Sequence, residues 1–188
     1  SADELPEPGD FLAWQQASVT GRRNALRHHS PWPAVAPWPT VSILLSSHRS
    51  DRLAHALSMV RAQDYPNLQV IVVLHGDDDF VSHHTPNVHQ SLAGWSGDLV
   101  VMGVSPEQTL GHALAAASAR AEGELLAKLD DDDFYSATHI WDLVLARMYS
   151  GAQIVGKALD WISLTHADTT VFRPTYPAER FAKFVAGG

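Results

Sequence analysis

Four short apolar runs, separated by stretches with helical periodicity, constrain the fold of this chain more than any other feature. The runs are too short for helices and rich in strand-forming residues, so they predict buried strands; they occupy residues 41–47, 68–74, 98–104 and 124–129. Helices are predicted between them, one after a Ser50 cap and one from Pro106 to Gly123. This alternation predicts βαβ units and a mostly parallel, doubly wound α/β sheet.

The segments between and after these elements are less regular. Residues 76–96 are predicted to form a loop with at most one short helix, because they are polar and lack periodicity. In the helix after Pro106, three residues are predicted to face inward: Leu110, Leu114 and Ala117. A further helix is predicted over 136–149, followed by two antiparallel or edge strands joined by "THAD" (165–168).

Residues 1–39 are predicted to be an extension that precedes one domain at 40–188. The stretch 11–29 is predicted to form one or two helical turns, interrupted near Gly21. The stretch "SPWPAVAPWPT" (30–40) contains four prolines, which fix the backbone and remove hydrogen-bond donors. It is therefore predicted to be an extended connector whose tryptophans pack on the domain surface.

Composition narrows the function classes. The formal charge of −8 argues against a nucleic-acid binder, which needs a basic surface. Acidic residues concentrate in two runs, Asp77–Asp79 and Asp130–Asp133, and such local acidity suggests a cation. The absence of cysteine excludes disulfides and thiolate zinc sites. Because neither a membrane-spanning run nor a signal peptide is recognisable, we expect a cytoplasmic protein, the cytoplasmic face of the membrane included.

The stretch "LLAKLDDDDFY" (125–135) places four carboxylates directly after the fourth predicted strand. In open α/β sheets, ligands bind outside the carboxyl ends of the strands. Alternation along an extended chain puts Asp130 and Asp132 on one side, so their carboxylates would repel unless a cation lay between them. Oxygen ligands suit Mg²⁺ or Mn²⁺, which in turn would bind a diphosphate. The alternative is a solvated acidic loop.

Other motifs point away from several enzyme classes. His83, His84 and His89 lack the spacing of a zinc site, and a solvated segment is the preferred interpretation. The chain has no Gly-x-Gly-x-x-Gly after its first strand, no Gly-Lys-Ser/Thr and no Gly-x-Ser-x-Gly. A dinucleotide site, a P-loop and an α/β-type serine hydrolase are therefore disfavoured.

Three segments in order resemble family 2 inverting glycosyltransferases, which have the A-type nucleotide-sugar-binding fold. The segments are "VSILLSSHRS" (41–50), "AQDYPNLQVIVVL" (62–74) and "AEGELLAKLDDDDFY" (121–135). The resemblance covers roughly residues 40–150. It implies transfer of a sugar, with inversion and with Mn²⁺ or Mg²⁺, from a nucleotide-diphosphate donor to an acceptor that is a glycan, a lipid or a small molecule.

The resemblance also implies roles for individual residues. Asp130 and Asp132 would be the metal-binding Asp-x-Asp pair, and Asp131 or Asp133 would assist by contacting the nucleotide sugar, through water or the sugar hydroxyls. The remaining residues are expected to contact the nucleotide sugar at the ends of the first two strands and, through backbone N–H groups, at a helix start: Ser46, His48, Arg49, His75, Gly76 and Gly111, with His112 beside Gly111.

The chain also departs from the family pattern. It has "LHGDDD" (74–79) where the family has Asp-Asp-Gly or Asp-Asn-Gly. His75 and Asp77 are therefore alternative candidates for contact with the nucleobase of the donor. Leu114 and Ala115 stand where the family often has Arg-Asn. Lys128 either has a role at the site, where it offsets the acidic cluster or touches a diphosphate, or extends to the sheet edge, and both interpretations stay open.

The catalytic base is expected beyond Gly188. The later carboxylates do not match the Glu-Asp pair that supplies the base in the family, so we expect a fragment; these carboxylates are Asp160, Asp168 and Glu179. A rival interpretation is a recognition or assembly module that keeps the fold without catalysis. A receiver or phosphoryl-transfer domain is a weaker rival, because the first strand ends in "SSHRS" (46–50) instead of a nucleophilic aspartate.

Overall fold

A four-stranded sheet in which every neighbouring pair is parallel forms the centre of this computed structural model. The structure describes residues 11–29, 37–158 and 161–172. The chain divides into two compact units, residues 1–145, which contain the sheet, and residues 146–188.

Helices and strands alternate as the sequence predicts. The strands of the sheet are β1 (Val41–Ser47), β2 (Leu68–His75), β3 (Asp98–Val104) and β4 (Leu125–Leu129). The helices are α1 (Phe11–His29), α2 (Ser50–Arg61), α3 (Asp78–Ser91), α4 (Leu110–Ser118) and α5 (His139–Ser150). Within the described ranges, none of these helices combines the length and apolar character needed to cross a membrane.

The strand order is β3-β2-β1-β4. Two connections lead outward from β1 to β2 and β3, and the third returns to the other side of β1 to form β4. Leu45, two residues before the end of β1, is therefore in register with Leu129 at the end of β4. The strand order reverses between these two strands, and such reversal points form ligand crevices in open α/β sheets.

Both faces of the sheet are covered by helices, as expected for a doubly wound fold. On one face Leu44, Ile71 and Val73 pack with Ala113 and Ala117 of α4. The buried positions of α2 follow helical spacing and contribute to the core: Leu53, Ala56, Leu57 and Val60. The predicted inward orientation of Leu110 is wrong, since it is 47% exposed; α4 begins only at this residue, after a Thr109 cap.

The segment 76–96, predicted to be a loop with at most one short helix, is largely the 14-residue helix α3. Asp77 caps this helix by accepting a hydrogen bond from the Phe80 N–H at 2.8 Å. Val88 is its buried residue, so most of the helix surface is polar and solvent-facing, which hides the helical period in the sequence. The predicted Ser50 cap is also wrong, because Arg49 occupies the N-cap position of α2 and its side chain makes no capping bond.

The N-terminal helix α1 is continuous through Gly21, so the predicted interruption there is wrong. Its basic side chains reach other parts of the first unit. Arg23 donates to both carboxylate oxygens of Asp142, at 2.6 and 3.1 Å, and the Arg27 guanidinium lies 4.1 Å from the ring centroid of Trp141. These tertiary contacts favour one long helix despite the glycine.

Of the predicted connector, residues 30–36 lie outside the described residues. Trp38 packs edge-on against Trp141 with ring centroids 5.0 Å apart, as the surface-packing prediction requires. In the second unit, Gly151 has a φ of 66° directly after α5, consistent with a glycine that ends a helix. The predicted antiparallel pair is confirmed as β5 (Trp161–Leu164) and β6 (Thr169–Phe172), joined by a 3₁₀ turn.

Candidate functional site

The four aspartates that follow β4 form a turn, residues 130–133, beside the end of β1. We call these four residues the acidic turn. Asp131 points inward and is buried. Its Oδ2 accepts hydrogen bonds from Ser47 Oγ at 2.6 Å and Arg49 Nε at 3.2 Å. The Arg49 Nη2 group bonds its other oxygen. Three donors from the end of β1 therefore surround this carboxylate.

Asp131 stays ionised despite its burial. Burial opposes the charged form and would raise the pKa, but the hydrogen bonds from Arg49 and Ser47 and the charge of Arg49 outweigh it. The pKa of Asp131 consequently lies below its ordinary value. In return, the hydrogen bonds that Arg49 donates to Asp131 and Asp132 raise the pKa of Arg49. The pair behaves as a fixed charged unit at the reversal point of the sheet.

The two carboxylates predicted to bind metal are more accessible. The Asp132 side chain is 49% exposed and lies 3.0 Å from Arg49 Nη2. The Asp130 side chain is 38% exposed and lies 2.8 Å from Lys128 Nζ. Of the two interpretations left open for Lys128, the contact supports the one in which it offsets the acidic cluster.

The carboxylate oxygens of the acidic turn are the ligand type that a hard divalent cation prefers, but they do not form a complete coordination shell. It supplies four carboxylates, only partly balanced by Arg49 and Lys128, so the local charge is negative. In the described part of the chain, no three His, Asp or Glu side chains are arranged to hold a metal ion together. Asp130 and Asp132 would therefore hold the ion with water and ligand oxygens completing its coordination. That pattern is usual for Mg²⁺ and leaves positions for phosphate oxygens.

Side chains that the sequence reasoning missed brace the acidic turn. The Tyr135 hydroxyl accepts a hydrogen bond from the Asp130 N–H at 2.9 Å and contacts Asp133 Oδ2 at 3.3 Å. His55 Nε2 lies 2.9 Å from the Asp133 carbonyl oxygen, and its ring meets the ring of Phe134. The tyrosine two residues after the last aspartate was a possible signal, whereas His55 becomes a neighbour only through folding.

Ser47 was missed because the prediction chose its neighbour Ser46. The two serines occupy opposite faces of β1, since side chains alternate along a strand. Ser47 is buried and contacts Asp131, whereas Ser46 is partly exposed. The strand pattern could have singled out Ser47, which shares its face with the core residues Ile43 and Leu45.

The residues predicted at the end of β2 lie beside those after β1. The rings of His48 and His75 are 6.4 Å apart, and His75 Nε2 contacts the Gln108 carbonyl oxygen at 2.9 Å. A Cβ on Gly76 would lie 2.7 Å from the Phe80 ring, so this glycine allows close packing. Asp77, the alternative base contact, already uses one carboxylate oxygen as the cap of α3.

Gly111 lies in the first turn of α4, three residues after Gln108. The N–H of its neighbour His112 donates to Thr109 Oγ1 at 3.2 Å, so the cap already uses one of the two N–H groups predicted to bind the ligand. The described contacts thus place the predicted residues in two groups, one around Asp131 and one around His75. They do not connect Gly111 directly to the acidic turn.

The family model for Glycosyl transferase family 2 matches residues 42–171, which include every predicted site residue. The chain belongs to glycosyl transferase family 2. The parallel sheet with its flanking helices is the A-type, Rossmann-like fold that the sequence resemblance implies. A search of curated proteins found no match.

Solved structures similar to this family 2 chain include the mannosyltransferase PcManGT from Pyrobaculum calidifontis in complex with GDP-Man and Mn²⁺. It is 23% identical, with a TM-score of 0.46, and the match covers 70% of this chain and 42% of that one. S. aureus TarS is 18% identical, with a TM-score of 0.48 and coverages of 64% and 23%. Its 1-349 form with UDP-GlcNAc has the same identity and TM-score, with coverages of 64% and 37%. The chain therefore spans less than half of each of these structures.

Proposed function

We propose that this family 2 domain binds a nucleotide-diphosphate sugar together with Mn²⁺ or Mg²⁺ and serves its transfer, with inversion, to a glycan, lipid or small-molecule acceptor. The observation that carries the proposal is the arrangement of the acidic turn. Asp131 is anchored to the end of β1, while Asp130 and Asp132 remain partly exposed at the reversal point of the sheet. A solvated acidic loop would not need a buried, charge-paired anchor.

The residues of this chain would have two roles, metal and phosphate binding at the acidic turn and nucleotide binding at the ends of β1 and β2. Asp130 and Asp132 would hold the divalent ion, which when bound supplies Lewis-acid stabilisation of the leaving diphosphate. Arg49 would contribute a fixed positive charge beside the same phosphates. The nucleotide would lie along the ends of β1 and β2, contacted by Ser46, His48, His75 and Gly76, with Gly111 offering a backbone N–H.

No residue in the described ranges is assigned as the base that deprotonates the acceptor. Asp160 and Glu179, two of the later carboxylates that do not match the family's Glu-Asp pair, lie outside the described residues. Donor binding and transfer are therefore tested separately.

The binding test is titration calorimetry with UDP, GDP and dTDP, with and without Mn²⁺. We expect one nucleotide to bind in a Mn²⁺-dependent manner, and Asp132→Ala to weaken this binding at least about tenfold, because a charged ligand to the ion is lost. Asp98→Ala is the matched control, since Asp98 is an exposed aspartate at the amino end of β3. Equal losses in both variants, or Mn²⁺-independent binding, would contradict the proposal.

The catalytic test is release of free sugar from the matching nucleotide sugar, with water as a poor acceptor. Mn²⁺-dependent hydrolysis that Asp132→Ala abolishes supports an enzyme. Binding without any hydrolysis supports the rival function, a donor-binding recognition module, which the missing Asp-Asp-Gly sequence at the end of β2 also favours.

A further inference from the structure

Arg49 holds two carboxylates of the acidic turn that differ in burial. It contacts Asp131 through both Nε and Nη2, and that carboxylate also receives the Ser47 hydroxyl. It contacts Asp132 through Nη2 alone, at 3.0 Å, and that carboxylate is half-exposed. One guanidinium nitrogen is thus shared between a buried partner and a solvent-facing one.

These two contacts differ in how easily they break. Leaving Asp131 without Arg49 would strand a buried charge, which is strongly unfavourable. Releasing Asp132 only returns an exposed carboxylate to water, and exposed ion pairs contribute little to stability. The Asp131 contact is therefore the permanent one, and the Asp132 contact is the one that a competing cation would replace.

We infer that Arg49 is a built-in counter-ion that competes with the divalent ion for Asp132. When the ion takes Asp132, the guanidinium stays anchored to Asp131 through Nε and Nη2, and the Nη2 hydrogen that faced Asp132 becomes available to a phosphate oxygen. This inference rests on the proposed function, because it assumes that Asp132 is a ligand to the ion. It goes further in assigning Arg49 a positioning role that links metal binding to diphosphate binding.

The link has a thermodynamic consequence. An ion that binds alone must displace Arg49 from Asp132 without replacing its hydrogen-bond partner. A diphosphate that binds with the ion supplies that partner, so each ligand should strengthen binding of the other by the same factor. Weak binding of Mn²⁺ alone and tighter binding with nucleotide diphosphate are therefore expected from the wild-type chain.

The test is the affinity for Mn²⁺ alone, measured by calorimetry, in wild type and in Arg49→Met. Removing the competitor should tighten Mn²⁺ binding at least about threefold, within the range expected for an exposed ion pair. The same substitution should reduce the factor by which UDP or GDP, whichever binds wild type, enhances Mn²⁺ binding. Arg52→Met is the matched control, because Arg52 lies in the first turn of the helix that follows Arg49, is exposed, and pairs with Asp51; it should leave Mn²⁺ binding within about twofold of wild type.

A second variant guards against misfolding. Arg49→Met leaves Asp131 buried without its guanidinium, so the double variant Arg49→Met/Asp131→Asn removes both charges of the buried pair. Circular-dichroism melting identifies which of the two variants is folded. The double variant should also bind Mn²⁺ more tightly than wild type, because Asp132 no longer has a competing cation.

The outcomes separate the inference from the function it rests on. If wild type shows Mn²⁺-dependent nucleotide binding but the folded Arg49 variants bind Mn²⁺ alone no tighter than wild type, the inference is overturned and the proposed function stands. If wild type binds neither Mn²⁺ nor any of the nucleotides, both are overturned. Tighter Mn²⁺ binding in Arg49→Met that Arg52→Met reproduces would show a general charge effect and would also overturn the inference.

Discussion

Single hydroxyl and carboxylate groups decide the geometry of the acidic turn. Asp131 looks in the sequence like one of four equivalent aspartates, yet it is the buried member with three donors around it. Its role is to hold Arg49 and the turn in place, while its neighbours face solvent. A run of identical residues is thus divided into an anchor and the more exposed ligand candidates.

Replacement of Ser47 by alanine tests this anchor. The change removes a 2.6 Å hydrogen bond to a buried carboxylate, and we expect the free energy of unfolding to fall by about 1–3 kcal/mol. Urea denaturation measures the change. Ser46→Ala, on the opposite face of the same strand, should cost less than about 0.5 kcal/mol; equal losses would show that the bond to Asp131 has no special weight.

The histidines of α3 give a prediction about pH. Burial and then the nearby His83 lower the pKa of His84 below its ordinary value. The native state therefore binds fewer protons than the unfolded state at mildly acidic pH, and stability falls as pH decreases through the native pKa of His84. We expect His83→Gln to raise the pKa of His84, as measured by NMR titration.

Denaturation at pH 7.5 and 5.5 checks the same prediction through stability. The loss of stability on acidification should be smaller in His83→Gln than in wild type. His89→Gln, an exposed position on the same helix, is the control and should behave like wild type. An unchanged His84 pKa in His83→Gln would contradict the prediction.

At the scale of elements, the turn after β4 depends on a brace from Tyr135, two residues beyond the last aspartate. Tyr135 contacts both ends of the acidic turn, through the N–H of Asp130 and the carboxylate of Asp133. Its hydroxyl therefore links the first and last residues of the acidic turn, which lies between β4 and α5. The prediction that concerns this element is about ligand affinity as well as stability.

Tyr135→Phe removes that hydroxyl while keeping the ring. We expect a loss of about 1 kcal/mol in stability and a weakening of Mn²⁺-dependent nucleotide binding by roughly threefold to tenfold, because the metal ligands are less well positioned. Calorimetry and urea denaturation measure the two effects. Tyr65→Phe is the matched control, since its hydroxyl donates to the Pro39 carbonyl at 2.6 Å; it should lower stability without changing binding.

At the scale of the whole molecule, contacts distant in sequence decide how the first unit is assembled. Arg23 of α1 and Asp142 of α5 form a two-bond ion pair in which both side chains are largely buried. The contact joins the N-terminal helix to the last helix around the sheet. The helix that the sequence presents as an optional extension is thereby part of the folded unit.

Arg23→Ala tests this attachment. We expect a loss of about 1–2 kcal/mol, since a charge-assisted and partly buried pair is broken. Hydrogen exchange should become faster in α1, while the amides of β1 and β2 stay protected. Asn24→Ala, at the exposed neighbouring position, should leave the exchange of α1 unchanged; a uniform increase across the sheet would mean that α1 unfolds only together with the core.

The sequence by itself determined the four parallel strands, the α/β class and the place of the acidic residues, because apolar periodicity and strand-terminating polar residues are local signals of burial. It failed at α3, where most of the surface is polar, and at Gly21, where tertiary contacts outweigh a local propensity. The resemblance to family 2 glycosyltransferases was likewise recognisable from local motifs.

Only the tertiary structure decided which side chains meet at the site. Alternation along β1 separates Ser47 from Ser46, but Ser47 and Arg49 meet the acidic turn only because β4 pairs with β1. The strand order places these two strands side by side although two further strands separate them in the chain. Pairing across such a distance depends on the packing of the whole sheet, and no short stretch of sequence records it.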